Sequence, residues 1–264
     1  MSASTLAVRQ DGAVLHLTLN RPEARNALSM AMVSDLRLAL AQAEDEGQTR
    51  VIVLRGAGGH FCAGADLRDM ALARSRLIDN PQALEQVSAA FGELCVAFAD
   101  TALATVAVLE GTVMGGGVGL ACAADVVLAS DTVSLRLPET GLGLVPAQIA
   151  AFLVQRLGHA EAKRLAVTGA SLDATAALAL RLVHSVHSTQ ALDAALEQVL
   201  AELLRCAPLA VAATKALMAL ACHQSPASLV QHAAEVFSAA ALGHEGLEGT
   251  SAFVQKRKPS WVPR

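Results

Sequence analysis

The chain has 264 residues, a formal net charge of −4 and a composition that is 53% hydrophobic and 3% aromatic. A chain of this length can bury a large core, in one domain or in two. The negative charge and the few aromatic residues argue against nucleic-acid binding, which needs a basic stripe or a stacking platform. The apolar runs are short or interrupted, and the first residues lack the pattern of a signal peptide. We therefore expect a cytoplasmic protein without a membrane span.

The cysteines are odd in number and scattered along the chain. They are Cys62, Cys95, Cys122, Cys206 and Cys222. Neither a disulfide framework nor a CxxC-type metal site fits this spacing, so we expect reduced thiols. His60 lies two residues before Cys62, but no further ligand clusters with them. A loop histidine beside a small buried thiol is therefore favoured over a metal site.

The first half of the chain predicts strands that alternate with helices. Residues 6–8 and 13–19 alternate apolar and polar side chains on either side of an Asp-Gly pair, which predicts a hairpin. Residues 28–43 have helical periodicity, with Ser29 as the N-cap. Short buried strands are predicted at 51–54, 105–109 and 126–129. This repeated ββα order predicts a mixed or parallel sheet with helices outside it.

From about residue 160 onward the pattern is almost entirely helical. Helices are predicted at 162–168, 174–180, 192–206, 209–222 and 225–242. Their faces are so rich in Ala and Leu that one chain cannot bury them all, which indicates contacts between subunits. The segment 253–264 is basic, and its plain interpretation is a solvated tail with Trp261 as an apolar anchor.

Two glycine-rich loops each follow a predicted strand, one at 55–67 and the other at 110–119. Neither has the spacing of a dinucleotide-binding fingerprint, and neither contains the Gly-Lys-Ser/Thr of a Walker phosphate-binding loop. Two such loops at adjacent strand ends can each give one backbone N–H to the same oxygen, which would form an oxyanion hole. The spacing alone fits equally well with glycines that only permit tight turns.

Glu139 follows Pro138 in an irregular, glycine-rich stretch. A carboxylate beside backbone donors can move a proton at an activated carbonyl compound. The alternative is an ordinary glutamate that faces solvent. No Gly-x-Ser-x-Gly motif points to a nucleophilic serine.

Four motifs occur in order along the chain. They are Leu-Asn-Arg-Pro-Glu-Ala-Arg-Asn-Ala-Leu at 19–28, Phe-Cys-Ala-Gly-Ala-Asp-Leu at 61–67, Glu-Gly followed by a triple glycine at 110–117, and Pro138-Glu139. With the tail at 252–257, this set resembles the enoyl-CoA hydratase/isomerase (crotonase) superfamily over essentially the whole chain. The resemblance implies an α/β fold. Residues 1–195 would form a crotonase-like spiral of ββα repeats, and 196–264 a C-terminal α-helical trimerisation region.

The same resemblance implies an acyl-CoA thioester as substrate and a homotrimer or a dimer of trimers. CoA is part of the substrate, so no metal and no separate cofactor is expected. The backbone N–H groups of Ala65 and Gly116 would form the oxyanion hole for the thioester oxygen, and Glu139 would exchange a proton beside the α,β bond. The other matched positions, which would bind the substrate or its CoA, are Ala24, Arg25, Ala27, Ala63, Gly64, Asp66, Leu67, Pro138 and Lys256, the last from this subunit or a neighbouring one.

The chain departs from the family pattern at Gly119, where the two-glutamate hydratases carry their other catalytic acid. One carboxylate is enough for a Δ3,Δ2-enoyl-CoA isomerase, which moves a single proton between two carbons. In a hydratase, Glu139 would act alone or with an acid from the segment 69–93. The acids that we consider there are Asp69, Asp79, Glu85 and Glu93.

Residues 141–150, with Gly-Gly-Gly-Val-Gly-Leu at 115–120, resemble the subgroup of methylglutaconyl- and isohexenylglutaconyl-CoA hydratases. Such enzymes take a branched acyl chain with a second carboxylate, which Arg136 or Gln148 would meet. The alternative for each of these two side chains is that it faces solvent. We therefore expect a hydratase of a branched or glutaconyl-type enoyl-CoA, with Glu139 as acid and base. The alternatives are the isomerase and, from another class, a non-catalytic scaffold with the crotonase fold.

Overall fold

Two β-sheets organise the computed structural model, which describes residues 4–263. The strands of that range are β1 (Leu6–Asp11), β2 (Val14–Leu19), β3 (Val51–Gly56), β4 (Ala104–Leu109), β5 (Thr112–Met114), β6 (Val126–Ser130), β7 (Ser134–Arg136), β8 (Ser171–Asp173) and β9 (Ser185–His187). The larger sheet has the order β1-β2-β3-β4-β6-β9, and the smaller one has the order β5-β7-β8.

The larger sheet is parallel except for its first pair. β1 and β2 form an antiparallel hairpin in which Asp11 pairs with Val14, as the Asp-Gly pattern predicts. β2, β3, β4, β6 and β9 then pair in parallel. Every residue of β4 is buried, which explains its continuous apolar sequence. The strands predicted in the first half are confirmed, whereas β5, β7, β8 and β9 have three residues each and are too short for a periodic pattern.

Helices surround the sheets and fill the C-terminal part of the chain. They are α1 (Met30–Glu46), α2 (Leu67–Ser75), α3 (Ala83–Asp100), α4 (Gly116–Ala123), α5 (Ala150–Thr168), α6 (Ala174–Ala179), α7 (Leu192–Leu204), α8 (Pro208–Ala221), α9 (Pro226–Leu242) and α10 (His244–Val254). Ser29 caps α1 as predicted, because its Oγ accepts a hydrogen bond from Met32 N over 3.3 Å.

Three helices and the first half of a fourth are not predicted from the sequence. α2, α3 and α10 lie where no helix is predicted, and α5 begins at 150 rather than at 162. Gly158 lies inside α5 with a φ of 74°, which kinks the helix. The kink interrupts the helical periodicity, so the sequence predicts only the part of α5 after Gly158. In α3 the periodic apolar side chains include Leu94 and Phe98, but charged residues interrupt the pattern before them.

Apolar side chains cover both faces of the larger sheet. One face packs against α1, α3, α4 and α5 in the main core. On the other face, strand residues such as Val53 and Val106 contact Leu192, Leu196 and Leu200 of α7. The predicted boundary after residue 195 falls inside α7, and the division into two domains stays a prediction.

The helices after α7 bury little within the chain. α8 and α9 contain no buried residue. Trp261 anchors the tail as predicted, since its Nε1 donates to Arg205 O over 3.0 Å. No single helix among the described residues is long and apolar enough to cross a bilayer. α7 and α8 meet that requirement only as a pair, and they are bent by 97°.

Candidate active site

A cavity of about 280 Å³ lies between α1, α2, α3 and the segment 144–149. Its walls are mainly apolar and include Leu28, Met30, Val33, Phe91, Leu144 and Ile149. Six of the residues singled out from the sequence meet in this cavity, namely Ala65, Asp66, Asp69, Gly116, Glu139 and Gln148. The fold therefore brings the two glycine-rich loops and the singled-out carboxylate to one place.

Backbone pairing leaves the Ala65 amide open. Leu28 N donates to Gly64 O over 2.8 Å, and Asp66 N donates to Leu28 O over 2.9 Å. These two bonds fix the residues on either side of Ala65, and its own N–H finds no acceptor among residues 4–263. Gly116 is the first residue of α4, so its N–H is one of the amides that a helix cannot pair internally.

The two loops that carry these amides touch each other. A Cβ atom on Gly64 would lie 3.0 Å from Met114 O and 3.6 Å from Gly116 N. Gly64 also has a φ of 89°, a conformation that side chains disfavour. Two free N–H groups on adjacent backbone segments can bind one oxygen that becomes negative, as the sequence suggests for an oxyanion hole.

Cys62 joins the two loops. Its N–H donates to Thr112 O over 3.0 Å, and its carbonyl accepts from Met114 N over 2.8 Å. Its Sγ accepts a hydrogen bond from Gly64 N over 3.4 Å. Burial raises the pKa of the Cys62 thiol to about 12, so the sulfur stays neutral. Cys62 is the small buried thiol that the sequence favours over a metal ligand.

Glu139 begins a 3₁₀ turn, Glu139–Leu142, directly after Pro138. Its Oε1 would lie only 2.8 Å from a Cβ on Gly115, so a side chain at position 115 would displace the carboxyl from this place. Its Oε2 is buried and has no hydrogen-bond partner in the described part of the chain. Burial raises the pKa of Glu139, while its own backbone N–H opposes that shift. An unpaired, desolvated carboxyl is suited to accepting and returning a proton.

Two aspartates also line the cavity, but both are held by the protein. Asp66 Oδ2 lies 2.8 Å from Arg21 Nη2, and Asp66 Oδ1 accepts from Arg68 N over 3.0 Å. Although burial raises the pKa of Asp66, these partners bring it below its ordinary value. Asp69 Oδ2 accepts from Met30 N over 2.7 Å at the start of α1.

The acids considered as partners for Glu139 separate clearly in space. Asp69 lines the cavity, whereas Asp79 and Glu85 are exposed outside it. Glu93 Oε2 pairs with Arg37 Nη1 on the surface over 2.8 Å. Of the four, only Asp69 can approach a ligand in this cavity.

The space beside Gly119 belongs to another residue. A Cβ atom on Gly119 would lie 2.9 Å from Ile149 Cβ and closer still to its Cγ2 methyl. Ile149 is 2% exposed and lines the cavity. Ile149 therefore fills the space that a side chain at position 119 would occupy.

The two residues predicted to meet a second substrate carboxylate lie in different places. Gln148 lines the cavity, and its Nε2 donates to Ser88 Oγ over 3.0 Å. Arg136 is exposed outside the cavity, and its Nε donates to Gly169 O over 2.9 Å. The prediction for Arg136 is wrong, because side chains alternate along β7 and only Leu135 points into the core.

Of the positions matched to substrate or CoA binding, Asp66 lines this cavity, whereas the others are not among its wall residues. Ala24 ends a 3₁₀ turn, and Arg25 has a φ of 47°. Ala63 N donates to Arg25 O over 2.9 Å, while Arg21 Nη1 donates to Ala27 O over 2.7 Å. Leu67, which begins α2, is 56% exposed.

Asn26 is a residue whose structural importance the sequence analysis missed. It is completely buried, and its Nδ2 donates to Ala57 O over 2.9 Å and to His60 O over 2.7 Å. Its Oδ1 accepts from Arg21 N over 2.9 Å. Asn26 itself has a φ of 58°, a conformation in which asparagine is enriched.

Lys256 lies away from Glu139. It lines a second cavity with residues of the hairpin and α7, including His16 and Arg205. Burial is the main cause that lowers the pKa of His16 there. Lys256 itself ends the helical part of the tail with a φ of 53°.

Comparison with known proteins assigns the chain to a family. Residues 9–264 match the model of the enoyl-CoA hydratase/isomerase family. Pseudomonas aeruginosa AtuE has a similar structure, with a TM-score of 0.94 and 48% identity over 98% of this chain and 100% of that chain. An enoyl-CoA hydratase/isomerase from Marinobacter aquaeolei gives a TM-score of 0.93 and 44% identity over 99% and 100%. The 2,3-dehydroadipyl-CoA hydratase of Escherichia coli (strain K12) is 33% identical over 99% of this chain and 100% of its own length. The chain has the crotonase fold and belongs to the enoyl-CoA hydratase/isomerase family.

Proposed function

We propose that the protein is an enoyl-CoA hydratase that adds water across the α,β double bond of an acyl-CoA thioester. One observation carries the proposal: two backbone amides without acceptors and one carboxyl oxygen without a donor, as judged within residues 4–263, meet in a single apolar cavity. These groups are the N–H of Ala65, the N–H of Gly116 and Oε2 of Glu139. The family to which the chain belongs supports an acyl-CoA substrate.

The two amides would bind the thioester oxygen. Attack at the β carbon moves the electrons of the double bond towards that oxygen, which becomes an enolate. Donors that are already oriented stabilise this charge most in the transition state, and each contributes about 3 kcal/mol. The free N–H at the start of α4 adds the favourable end of a helix dipole.

Glu139 would handle both protons of the addition. Its carboxylate takes a proton from water, and the hydroxide oxygen forms the bond to the β carbon. The enolate then collapses, and its α carbon receives a proton from the Glu139 carboxyl. The atoms balance with one acid, and Asp69 is left to hold the start of α1.

The lining favours a branched or extended acyl chain. Apolar side chains form most of the wall, and Gln148 and Ser88 are its neutral hydrogen-bonding side chains. No Lys or Arg lines the cavity among residues 4–263, so a second carboxylate of a glutaconyl-type chain would meet the Gln148 amide. The subgroup resemblance and the similarity to a dehydroadipyl-CoA hydratase support this substrate class.

A second candidate function is the Δ3,Δ2-enoyl-CoA isomerase. Ile149 in the space beside Gly119 favours it, because the site then has one proton-transferring carboxyl. Glu139 would remove a proton from the α carbon of a 3-enoyl thioester and return it to the γ carbon. Both functions use the same two amides.

The exposed helices support a homotrimer or a dimer of trimers. Leu209, Phe237 and Leu242 are 61%, 75% and 75% exposed in the single chain. Burial against other copies would remove this surface from water. Lys256 of a neighbouring copy would then contact the CoA phosphates. Light scattering after gel filtration tests the assembly, and a monomer at micromolar concentration would contradict it. A cytoplasmic location stays a prediction.

The decisive experiment is turnover of a panel of thioesters by the wild type and Glu139→Gln. The panel contains crotonyl-, 3-methylglutaconyl-, isohexenylglutaconyl- and 3-enoyl-CoA, and mass spectrometry identifies each product. A water adduct that disappears in the variant supports the hydratase. A product of unchanged mass with a shifted double bond supports the isomerase. Binding of all the thioesters without turnover would leave the non-catalytic scaffold.

A further inference from the structure

Glu139 and Ile149 both line the cavity, and both lie against the beginning of α4. Glu139 Oε1 would lie 2.8 Å from a Cβ on Gly115, and Ile149 Cβ would lie 2.9 Å from a Cβ on Gly119. Gly119 N donates to Gly115 O over 3.1 Å, which closes that turn. The Glu139 carboxyl and the Ile149 side chain therefore contact the two ends of this first turn and face one cavity.

The fit between Ile149 and Gly119 leaves no room for another group. A Cβ at position 119 would come closer to Ile149 than real Cβ atoms come to their neighbours. Ile149 is 2% exposed, precedes α5 and lies on the wall of the cavity. Its side chain thus fills the space where a side chain from α4, or water, would otherwise stand beside Glu139.

We propose that Ile149 is a positioning residue that keeps Glu139 poorly hydrated and without a neighbouring side chain at position 119. It does so by occupying the place of a side chain at position 119 and by keeping water from that flank of Glu139. The inference rests on the proposed function for the reaction that is measured.

The other charged groups around the cavity do not control the hydration of Glu139. Asp66 is paired with Arg21, and Asp69 accepts from Met30 N. Burial is the largest cause of the raised pKa of Glu139. Among the described residues, no Lys or Arg lines the cavity to lower that pKa again. A polar group at position 149 would hydrate the carboxylate and favour its ionised form. The acidic limb of the pH profile would then move to lower pH.

A matched pair of variants separates the effect of hydrating Glu139 from the effect of changing the shape of the side chain at position 149. Valine and threonine have the same outline, so Ile149→Val and Ile149→Thr differ by a methyl in place of a hydroxyl. We expect Ile149→Val to keep the wild-type pH dependence of kcat and Ile149→Thr to shift its acidic limb to lower pH. Leu153→Ala is the structural control, because Leu153 is 1% exposed in α5 and lies outside the cavity wall. We expect it to lower the Tm and leave the pH profile in place.

A double-mutant cycle tests the shared space. Gly119→Ala alone forces Ile149 out of position, and we expect kcat/KM to fall at least about tenfold and the Tm to fall with it. In the Ile149→Ala background the overlap with the Cγ2 methyl is gone, and only the contact with the Cβ of position 149 at 2.9 Å remains. The same substitution should then lower kcat/KM and the Tm less than it does in the wild type.

Three results would overturn the inference. They are an unmoved acidic limb in Ile149→Thr, a limb that moves equally in Leu153→Ala, and a Gly119→Ala effect that is the same in both backgrounds. Full turnover by Glu139→Gln would instead refute the proposed function. In that case the Tm cycle of positions 119 and 149 still decides whether they share one space, because it needs no substrate.

Discussion

Arg21 Nη2 lies 2.8 Å from Asp66 Oδ2, and this ion pair ties the turn before α1 to the residue that caps α2. The side chains are only 17% and 11% exposed. Asp66 also accepts from Arg68 N, so its carboxylate is committed to holding the loop of Ala65. The structure gives the Asp66 side chain a supporting contact, and the substrate-binding role that the resemblance implies for Asp66 stays a prediction.

Asp66→Asn should therefore weaken the fold near the cavity. We expect a loss of about 2 kcal/mol in the free energy of unfolding at neutral pH, because a partly buried charged hydrogen bond is removed. The pKa of Asp66 is lowered in the folded protein, so its stabilisation is present above the ordinary aspartate pKa and is lost as the pH falls through the folded value. Urea unfolding at several pH values measures this, and a constant difference down to acidic pH would contradict it.

The close approach of Gly64 to the loop of Gly116 predicts a large effect on catalysis. Gly64→Ala places a Cβ 3.0 Å from Met114 O at a φ of 89°, so the two loops must separate. We expect kcat to fall by about 10²-fold, the loss typical of one displaced oxyanion-hole donor. Gly59→Ala is the matched control, because Gly59 has a φ of 73° but no atom within 4 Å of the added Cβ. It should share the backbone strain and keep kcat, and equal losses would exclude the loop contact as the cause.

Glu139 should destabilise the folded protein at neutral pH. Its pKa is raised by burial, so the folded state holds its proton more tightly than the unfolded state does. Stability then falls as the pH rises from the ordinary glutamate pKa through the folded value. We expect Glu139→Gln to raise the Tm at neutral pH, with a gain that disappears towards acidic pH. A lower Tm at neutral pH would show that the carboxylate is better stabilised than its unpaired Oε2 indicates.

The thiols should fall into two classes. Cys62, Cys95 and Cys122 are buried, and burial raises the pKa of each to about 12. Cys206 and Cys222 are exposed. We expect a thiol-specific disulfide reagent to titrate no more than the two exposed thiols of the folded protein, and all five after denaturation. Cys62→Ser serves as the control, because it should leave the fast amplitude unchanged.

Sequence patterns predict the longer strands but not the elements whose side chains show no regular apolar period. β1 to β4 and β6 carry alternating or continuous apolar residues, and the structure has strands at those places. The three-residue strands are held by neighbours that lie far away in the chain, such as Ser134 opposite Asp173. α3 lies outside the predicted helices because exposed charged residues interrupt its apolar pattern, and its buried residues such as Leu94 and Phe98 pack in the core beside α1 and α4.

The sequence by itself determined the family, the two glycine-rich loops, the carboxyl of Glu139 and the absence of an acid at position 119. Local chemistry suffices for these, since glycine spacing and residue identity are properties of the chain. Only the tertiary structure decided that Gln148 faces the cavity while Arg136 does not, and that Ile149 fills the space beside Gly119. Such contacts depend on how β7 and α5 pack, and side chains distant in sequence meet only when the core is closed.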